Sequence, residues 1–382
     1  MSRHPRGVAP SAGLLQLIRE SGPVSRTDLA RLSGLAPSTV GLRVEELIAS
    51  GLVEEAGSGR SRGGRRPRML RVGSGAGVAL AADLAAHHAR LSVVDMAGQE
   101  LAGELIPLTL GDGPETALGA VADRLSEMAG TAHVLGVGIG LPGPVDPSTG
   151  RVTSPSGLPG WHGTQAAQWL ADRLGVPAAV ENDANLLALG EYRSRWAEDG
   201  VRHLAAVNLG DRIGCGIITG GTVYHGANGA AGEISHVRAA SVDLETARLC
   251  GCGQRGCLET IASGAALMAS LPELALSSTD DLVSRVHGGD PAASLAVRTA
   301  GWHLGEVLAV VVNFFNPEVL VLGGSLAAAE PLVASVRAAV YERCLPMASE
   351  AVRIVTAANA LEAGVRGAAW LILDRLARAA DA

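Results

Sequence analysis

Four potential metal ligands lie close together at residues 236–257, and they constrain the fold of this chain more than any other feature. His236 is followed by Cys250, Cys252 and Cys257, in the spacing H-x13-C-x-C-x4-C. One imidazole and three thiolates form a tetrahedral Cys3His set that suits zinc. Because four protein ligands leave no open coordination position, the pattern predicts one structural zinc ion per chain. The alternative is a buried cysteine-rich loop beside an unrelated histidine.

The charge of the chain is unevenly divided. The formal net charge is −7, and all 31 basic residues are arginine. Residues 1–72 hold 12 arginines and 6 acidic residues, a charge of +6, which leaves −13 for the rest. A basic segment on an acidic body indicates a local contact with nucleic acid, although a solvated charged surface has the same composition.

The pattern of residues 1–72 is typical of a winged helix-turn-helix domain. An apolar stripe in residues 11–20 predicts a first helix, and the sequence SRTD at 25–28 resembles the capping-box start of a second. Pro37 opens a third helix, in the place of a DNA recognition helix. Its exposed face, which we expect to contact bases, holds Ser38, Thr39 and Arg43.

An arginine- and glycine-rich segment follows the helices. Residues 52–72 predict two short strands around the sequence GSGRSRGGRRPR. This composition suits a wing that lies against phosphates or enters a minor groove. Three helices alone are equally typical of a small helical domain, and the wing favours DNA binding. The arginines expected to contact the DNA backbone or minor groove are Arg60, Arg62, Arg65, Arg66 and Arg68.

From residue 77 onward, short apolar strands alternate with helices, which predicts an α/β architecture. No signal peptide is evident, and the longest apolar stretch, near 307–315, is too short and too polar to span a membrane. Five cysteines, three of them clustered, do not indicate a disulfide framework. We therefore expect a cytoplasmic protein without membrane contact.

The two halves together resemble the ROK family, which contains sugar kinases and sugar-responsive repressors. The stretch CGCGQRGCLE at 250–259 has the form of the family signature, and GLVEE and GGRRP resemble the winged helix of ROK repressors of the xylose and N-acetylglucosamine type. The resemblance implies a two-lobed, actin-like body after the winged helix. We expect the winged helix at 1–72, a smaller lobe at 73–180 and a larger lobe at 181–382, with the last helix returning to the smaller lobe.

The resemblance also implies a site for sugar hydroxyls, to which carboxylates and amides donate and accept hydrogen bonds. Ser235 replaces the glycine of the family's Glu-x-Gly-His motif, and Ser-Pro-Ser at 154–156 replaces Ser-Pro-Asn. His236 would give one ring nitrogen to zinc and the other to sugar. The implied sugar-binding residues are Asn182, Asp183, Glu233, His236 and Glu259.

Two loops that bind ATP phosphates in family kinases are altered here. Asp-x-Gly-Gly-Thr corresponds to DLAAH at 83–87, and Gly-Thr-Gly-x-Gly corresponds to GDRIG at 210–214. Asp211 would repel a phosphate by about 1–4 kcal/mol at ~4 Å, an effect that Arg212 would partly offset. Asp183 occupies the position of the kinase base but suits hydroxyl binding equally well. We therefore predict no catalytic residue and no enzymatic activity.

These features predict a sugar-responsive transcriptional repressor, a homodimer or homotetramer that binds an inverted-repeat operator. The glycine-rich stretch at 73–77 would be a joint through which bound sugar reorients the winged helices. Two alternatives remain. One is an active ROK-type sugar kinase with an accessory DNA-binding domain. The other is a regulator that has lost sugar binding and acts constitutively or through a protein partner.

Overall fold

The structure is a computed structural model that describes residues 13–59, 66–73, 75, 77–153 and 160–380. Three predicted wing residues, Arg60, Arg62 and Arg65, lie outside the described residues, as does the Ser-Pro-Ser sequence at 154–156.

The N-terminal domain combines three helices with a three-stranded antiparallel sheet. Its elements are α1 Leu14–Ser21, β1 Val24–Ser25, α2 Arg26–Ser33, α3 Pro37–Ala49, β2 Val53–Ser58 and β3 Arg68–Val72. The strand order is β1-β3-β2. The Asp28 backbone N–H donates to the Ser25 hydroxyl (3.1 Å), which caps α2. Pro37 is the first residue of α3, where its missing N–H leaves no helical bond unmade.

The body begins with a lobe that holds a five-stranded sheet and a separate two-stranded sheet. Its elements are β4 Val78–Leu84, β5 His88–Asp95, β6 Glu100–Pro107, α4 Pro114–Ala129, β7 Val134–Leu141, β8 Val145–Asp146, β9 Arg151–Val152, α5 Ala166–Leu174 and β10 Ala178–Asn182. The strand order of the five-stranded sheet is β10-β7-β4-β5-β6, and β8 and β9 form the two-stranded sheet. Successive side chains of β4 point to opposite faces, so Leu80 packs with α4 and α5 while Ala79 packs with the last helix of the chain.

A second five-stranded sheet follows. Its elements and flanking helices are α6 Asp183–Glu191, β11 His203–Leu209, β12 Ile213–Thr219, β13 Thr222–Val223, α7 Glu259–Ala262, α8 Gly264–Ser270, α9 Thr279–His287, α10 Pro291–Phe315, β14 Val319–Gly323, α11 Glu330–Arg343, α12 Pro346–Ser349, β15 Arg353–Thr356 and α13 Ala360–Ala380. The strand order is β13-β12-β11-β14-β15. The helices α7 to α11 pack on one face, and α6 packs on the other.

The last helix, α13, connects the two lobes. It contacts β4, β7 and β10 of the first sheet and lies along α6. Glycines make this approach possible, because a Cβ on Gly190 would lie 1.8 Å from the Ala363 carbonyl oxygen and a Cβ on Gly367 2.0 Å from that of Leu186. The expected lobe boundary at 180 falls inside β10, which belongs to the first sheet.

Helix α10 is longer than its most apolar stretch indicated. Among the helices of the described residues, it alone is long and apolar enough to cross a membrane, and 56% of the window that meets this criterion is buried. It packs along α11 and contributes to the core of the second lobe. This packing is that of a core helix.

Candidate functional site

The four predicted metal ligands converge in the structure. The ligand atoms of His236, Cys250, Cys252 and Cys257 lie within 4.8 Å of one another, and none of the five cysteines forms a disulfide. The Cys252 and Cys257 Sγ atoms are 3.6 Å apart, close to the sulfur–sulfur edge of about 3.8 Å in a tetrahedron with Zn–S bonds of ~2.3 Å. Gly253, at φ +89°, turns the chain tightly between the ligands. The cluster therefore has the donor atoms and the spacing to hold a metal ion, and these are compatible with zinc.

His236 lies between this cluster and a cleft. It ends a 3-10 turn, Ile234–His236, and its Nδ1 is 3.5 Å from the Cys250 Sγ. The same residue lines the cleft together with Glu233 and Glu259. With Nδ1 directed at the cysteines, Nε2 is the ring nitrogen that remains for the cleft.

The cleft lies between the two lobes, and its walls come from both. The first lobe contributes residues 142–144 and the end of β10, and the second contributes the start of α6, residues 212–215 and the segment 229–236. The buried Ser235, which replaces the family's glycine, is among the lining residues. The structure brings all the proposed hydroxyl-binding residues to this one cavity: Asn182, Asp183, Glu233, His236 and Glu259.

Asn182 and Asp183 are held by the junction of β10 and α6. The Asn182 side-chain oxygen accepts from the backbone N–H groups of Ala184 (3.0 Å) and Asn185 (3.1 Å), which caps α6. The Asn182 amide nitrogen donates to the Gly143 carbonyl (3.0 Å). Most of the Asn182 hydrogen-bonding capacity is thus used within the protein, and Asn182 chiefly orients Asp183.

Three carboxyl groups of the cleft, and Asp83 beside Asp183, have pKa values shifted from those of the free side chains. Burial raises the pKa of Asp183 to about 6, against the lowering effect of hydrogen bonds from a backbone N–H and the Asn208 amide. Burial, and then the neighbouring Asp183, raise the pKa of Asp83 to about 8. Burial also raises the pKa of Glu233 and of Glu259. Carboxyl groups that exchange protons near neutrality can both donate to and accept from sugar hydroxyls.

The structure adds residues that sequence analysis did not assign to this site. Arg212 lines the cleft and acts electrostatically on Asp183 and Glu259. Asn185, one helical turn after Asn182, also lines the cleft. Asn185 belongs to the same Asn-Asp-Ala-Asn sequence as the assigned pair. The periodicity of a helix, which places Asn185 on the same face as Asn182, is the signal that could have identified it.

The predicted recognition helix α3 has the expected two faces. Val40, Val44 and Leu47 are buried in the core of the N-terminal domain. Ser38 is exposed, and Thr39 and Arg43 are partly exposed. Of the wing arginines in the described residues, Arg66 is exposed, and Arg68 is exposed with its guanidinium 2.5 Å from the Glu55 carboxylate.

Comparison with known proteins places the chain in a family. A sequence profile of the ROK family matches residues 79–375. The chain belongs to the ROK family. A second profile, described as winged helix-turn-helix DNA-binding, matches residues 13–54.

Individual relatives extend this assignment. The ROK chain is 32% identical over 387 residues to a putative xylose repressor of Caldicellulosiruptor sp. (strain Rt8B.4), with 95% of each chain covered. It is 31% identical over 346 residues to the DNA-binding transcriptional dual regulator NagC of Escherichia coli (strain K12), covering 85% of this chain and 82% of that one. A solved ROK family transcriptional regulator, a homolog of E. coli MLC, superimposes with a TM-score of 0.79 at 24% identity over 97% of both chains. The predicted fold class, a winged helix-turn-helix followed by an actin-like ROK body, is confirmed.

Proposed function

We propose that this ROK protein is a sugar-responsive transcriptional repressor. Its winged helix binds operator DNA, and its interlobe cleft binds a sugar or sugar derivative. The observation that carries the proposal is that both sites occur in one chain, related over 95% of its length to a putative xylose repressor. The site of action is then the cytoplasm, where the operator is.

The geometry of the phosphate loops counts against the alternative of a sugar kinase. Phosphate binding needs backbone N–H groups that point outward, but the Gly210 N–H donates to the Arg212 carbonyl (3.0 Å) within the second loop. The carbonyls of Gly210 and Asp211 accept from α8. In the first loop the methyl groups of Ala85 and Ala86 occupy the place of bare glycine backbone. These features favour a cleft that binds sugar without phosphoryl transfer.

The metal that we propose for the Cys3His cluster is one zinc ion per chain with a structural role. His236 and Glu259 belong to the segments that the cluster joins, since Glu259 comes two residues after Cys257. Zinc bound at His236 Nδ1 would fix the orientation of the ring toward the cleft. The zinc ion would stabilise the shape of the sugar site and would take part in no reaction.

An apolar surface supports assembly into a homodimer, the unit of a homotetramer. Five exposed side chains lie on α10, α11 and the start of α12, where the Leu345 N–H donates to the Asn313 side chain of α10 (3.2 Å). Soluble monomers rarely expose such a patch, and a two-fold dimer would present two winged helices to an inverted repeat. Met347→Glu should therefore yield monomers by light scattering. The patch consists of Val310, Phe314, Tyr341, Leu345 and Met347.

The structure offers a route from the cleft to the winged helix. Helix α6 begins at the cleft and continues into a π-helical turn, Tyr192–Trp196. Arg193 of that turn pairs with Asp374 of α13 (3.2 Å), and Asp374 also pairs with the buried Arg19 of α1. Both guanidinium groups lie over the Trp370 ring, Arg193 at 5.7 Å and Arg19 at 4.9 Å. A shift of α6 on sugar binding would thus act directly on the winged helix.

The packing of this interface changes the expected role of the glycine-rich joint. The Gly73 N–H donates to the Leu52 carbonyl (2.9 Å), and a Cβ on Gly73 would lie 2.2 Å from the Gly51 carbonyl oxygen. Gly73 is therefore held by close packing, and we place the moving contact at Arg19, Asp374 and Arg193.

The test is operator affinity measured with and without sugar. A duplex selected from random DNA by the full-length protein serves as operator, and D-xylose, D-glucose and N-acetyl-D-glucosamine are titrated. We expect one of these sugars to weaken operator binding by about 5–150-fold, the usual range of allosteric coupling. A coupled ADP-release assay should detect no phosphorylation. Turnover near the ~10 s⁻¹ typical of enzymes would instead establish the kinase.

A further inference from the structure

Glu181 is a buried carboxylate beneath the effector cleft. It is 3% exposed and lies in β10, the edge strand of the first sheet. Its Oε1 accepts from the Asn182 backbone N–H (2.8 Å) and from the Asn185 amide nitrogen (3.0 Å). Both donors belong to residues that line the cleft. Glu181 therefore holds the segment from which α6 starts.

The second oxygen of Glu181 is bound from the other lobe. Glu181 Oε2 lies 2.6 Å from the Nε2 of His225, which comes two residues after β13 at the edge of the second sheet. The bond to Glu181 raises the pKa of His225, against the effect of its partial burial. A contact this short between a carboxylate and an imidazole is a strong hydrogen bond, and it is charge-assisted when the imidazole is protonated. The pair joins the edges of the two sheets below the cleft.

His225 also begins the loop that forms one wall of the cleft. Its carbonyl accepts from the Ala231 N–H (3.2 Å), and Gly229 and Ala231 line the cavity. Gly229 lies against the first lobe, since a Cβ there would be 3.1 Å from the Val145 carbonyl oxygen. The loop thus spans the two lobes, with His225 as its anchor.

The bond from Asn185 to Glu181 fixes which way the Asn185 amide points. The nitrogen faces the carboxylate, so the oxygen takes the opposite position. That oxygen is buried and has no hydrogen-bond partner among the described residues. Buried acceptors are normally satisfied, and an effector hydroxyl is a donor of the right kind. Asn185 is thereby a candidate effector contact that depends on Glu181.

We infer that His225 is a positioning residue of the effector site. Through Glu181 it orients Asn185 for an effector hydroxyl and ties the loop 225–232 to the first lobe. His225 and Glu181 themselves do not touch the effector. The inference rests on the proposed function only for the nature of the ligand.

A double-mutant cycle tests the inference with the tightest-binding of D-xylose, D-glucose and N-acetyl-D-glucosamine. His225→Ala and Glu181→Gln should each weaken sugar binding by about tenfold, because each breaks the short, partly buried bond between His225 and Glu181. The double variant should bind about as weakly as either single variant, since both changes act on one linkage. His225→Gln keeps an N–H donor and should restore affinity to within about threefold. Wild-type affinity in His225→Ala, or additive losses in the double variant, would overturn the inference.

Hydrogen exchange of the sugar-free protein tests the positioning role of His225 without a ligand. His225→Ala should speed exchange in peptides covering 180–186 and 225–233 and leave the N-terminal domain unchanged. His287→Gln is the matched control, because among the described residues the exposed His287 ring bonds to the Ala328 carbonyl of the second lobe and not to the cleft. Unchanged exchange in both peptides would refute the positioning role. If no sugar binds the wild type, the proposed function fails while this measurement still stands. If His225→Ala does not fold, the same exchange comparison is made with Glu181→Gln.

Discussion

Asp83 is a residue whose surroundings in the folded protein change its acid–base chemistry. It is the first residue of the sequence DLAAH at 83–87, and its Oδ1 has no hydrogen-bond partner in the described part of the chain. The backbone of α13 presses against it, since a Cβ on Gly364 would lie 1.9 Å from Asp83 Oδ2. A carboxyl group so enclosed favours its protonated form.

This proton produces a dependence of stability on pH. The Asp83 pKa is about 8 in the folded protein against 3.8 for the free side chain. Between these values the folded state holds a proton that the unfolded state releases, so wild-type stability falls as pH rises. Asp83→Asn has no proton to lose. Its free energy of unfolding relative to wild type should rise by roughly 3–4 kcal/mol from pH 5 to pH 8.

Denaturant unfolding at several pH values measures this difference. Asp172→Asn, at an exposed aspartate on α5, is the control and should show no such trend. A constant difference between Asp83→Asn and wild type across the range would mean that Asp83 ionises freely in the folded protein.

Among the elements, the cysteine loop shows what sequence predicts well. Its four ligands lie within residues 236–257, and glycines separate the cysteines, so their convergence follows from local chain geometry. The capped helices α2 and α3 are predictable for the same reason. By contrast, Glu181 and His225 are 44 residues apart, and Arg19 and Asp374 are 355 apart. Their contacts depend on how whole sheets and helices pack, which no local pattern encodes.

The cysteine loop gives the first prediction at this scale. Cys252→Ser should remove the metal, because a neutral hydroxyl is a poor substitute for a thiolate. Sugar binding should then weaken by about tenfold or more, since the loop positions His236 and Glu259. Elemental analysis and sugar titration measure both effects. Cys344→Ser, in the core between α10 and α11, should keep its metal and its affinity. Full sugar affinity in metal-free Cys252→Ser would show that sugar binding does not depend on the metal cluster.

The recognition helix and the wing give the second prediction at the scale of elements. Arg43→Ala on α3 should relax sequence preference, with a loss of about 1–3 kcal/mol on the preferred operator. Arg66→Ala should weaken binding to all sequences alike and lower the salt dependence by about one phosphate contact. Binding curves on operator and random DNA at several salt concentrations distinguish the loss of sequence preference from the loss of a phosphate contact. Arg173→Ala, on α5 of the body, should change neither. If Arg66→Ala relaxed sequence preference and Arg43→Ala weakened binding to all sequences alike, the wing would contact bases and the helix would contact phosphates.

At the scale of the whole molecule, two sites on separate domains share one contact region. The winged helix and the body meet where Ala377 of α13 enters the core of the N-terminal domain. The adjoining ion pairs connect α1, α13 and the end of α6. Helix α6 and its π-helical turn span about 15 Å from the cleft to this region. Because close glycine contacts pack α6 tightly along α13, we expect a movement at one end of α6 to reach the other end.

Arg193→Gln tests this connection, because it leaves the Arg19–Asp374 pair in place. We expect sugar affinity and sugar-free operator affinity to stay within about threefold of wild type, while the effect of sugar on operator binding falls from about 5–150-fold to less than threefold. Reciprocity requires operator DNA to lose its effect on sugar binding by the same factor. Arg195→Gln is the matched control, since Arg195 lies in the same turn but pairs with Glu191. An unaltered sugar response in Arg193→Gln, or an equal loss in Arg195→Gln, would show that the signal travels by another path.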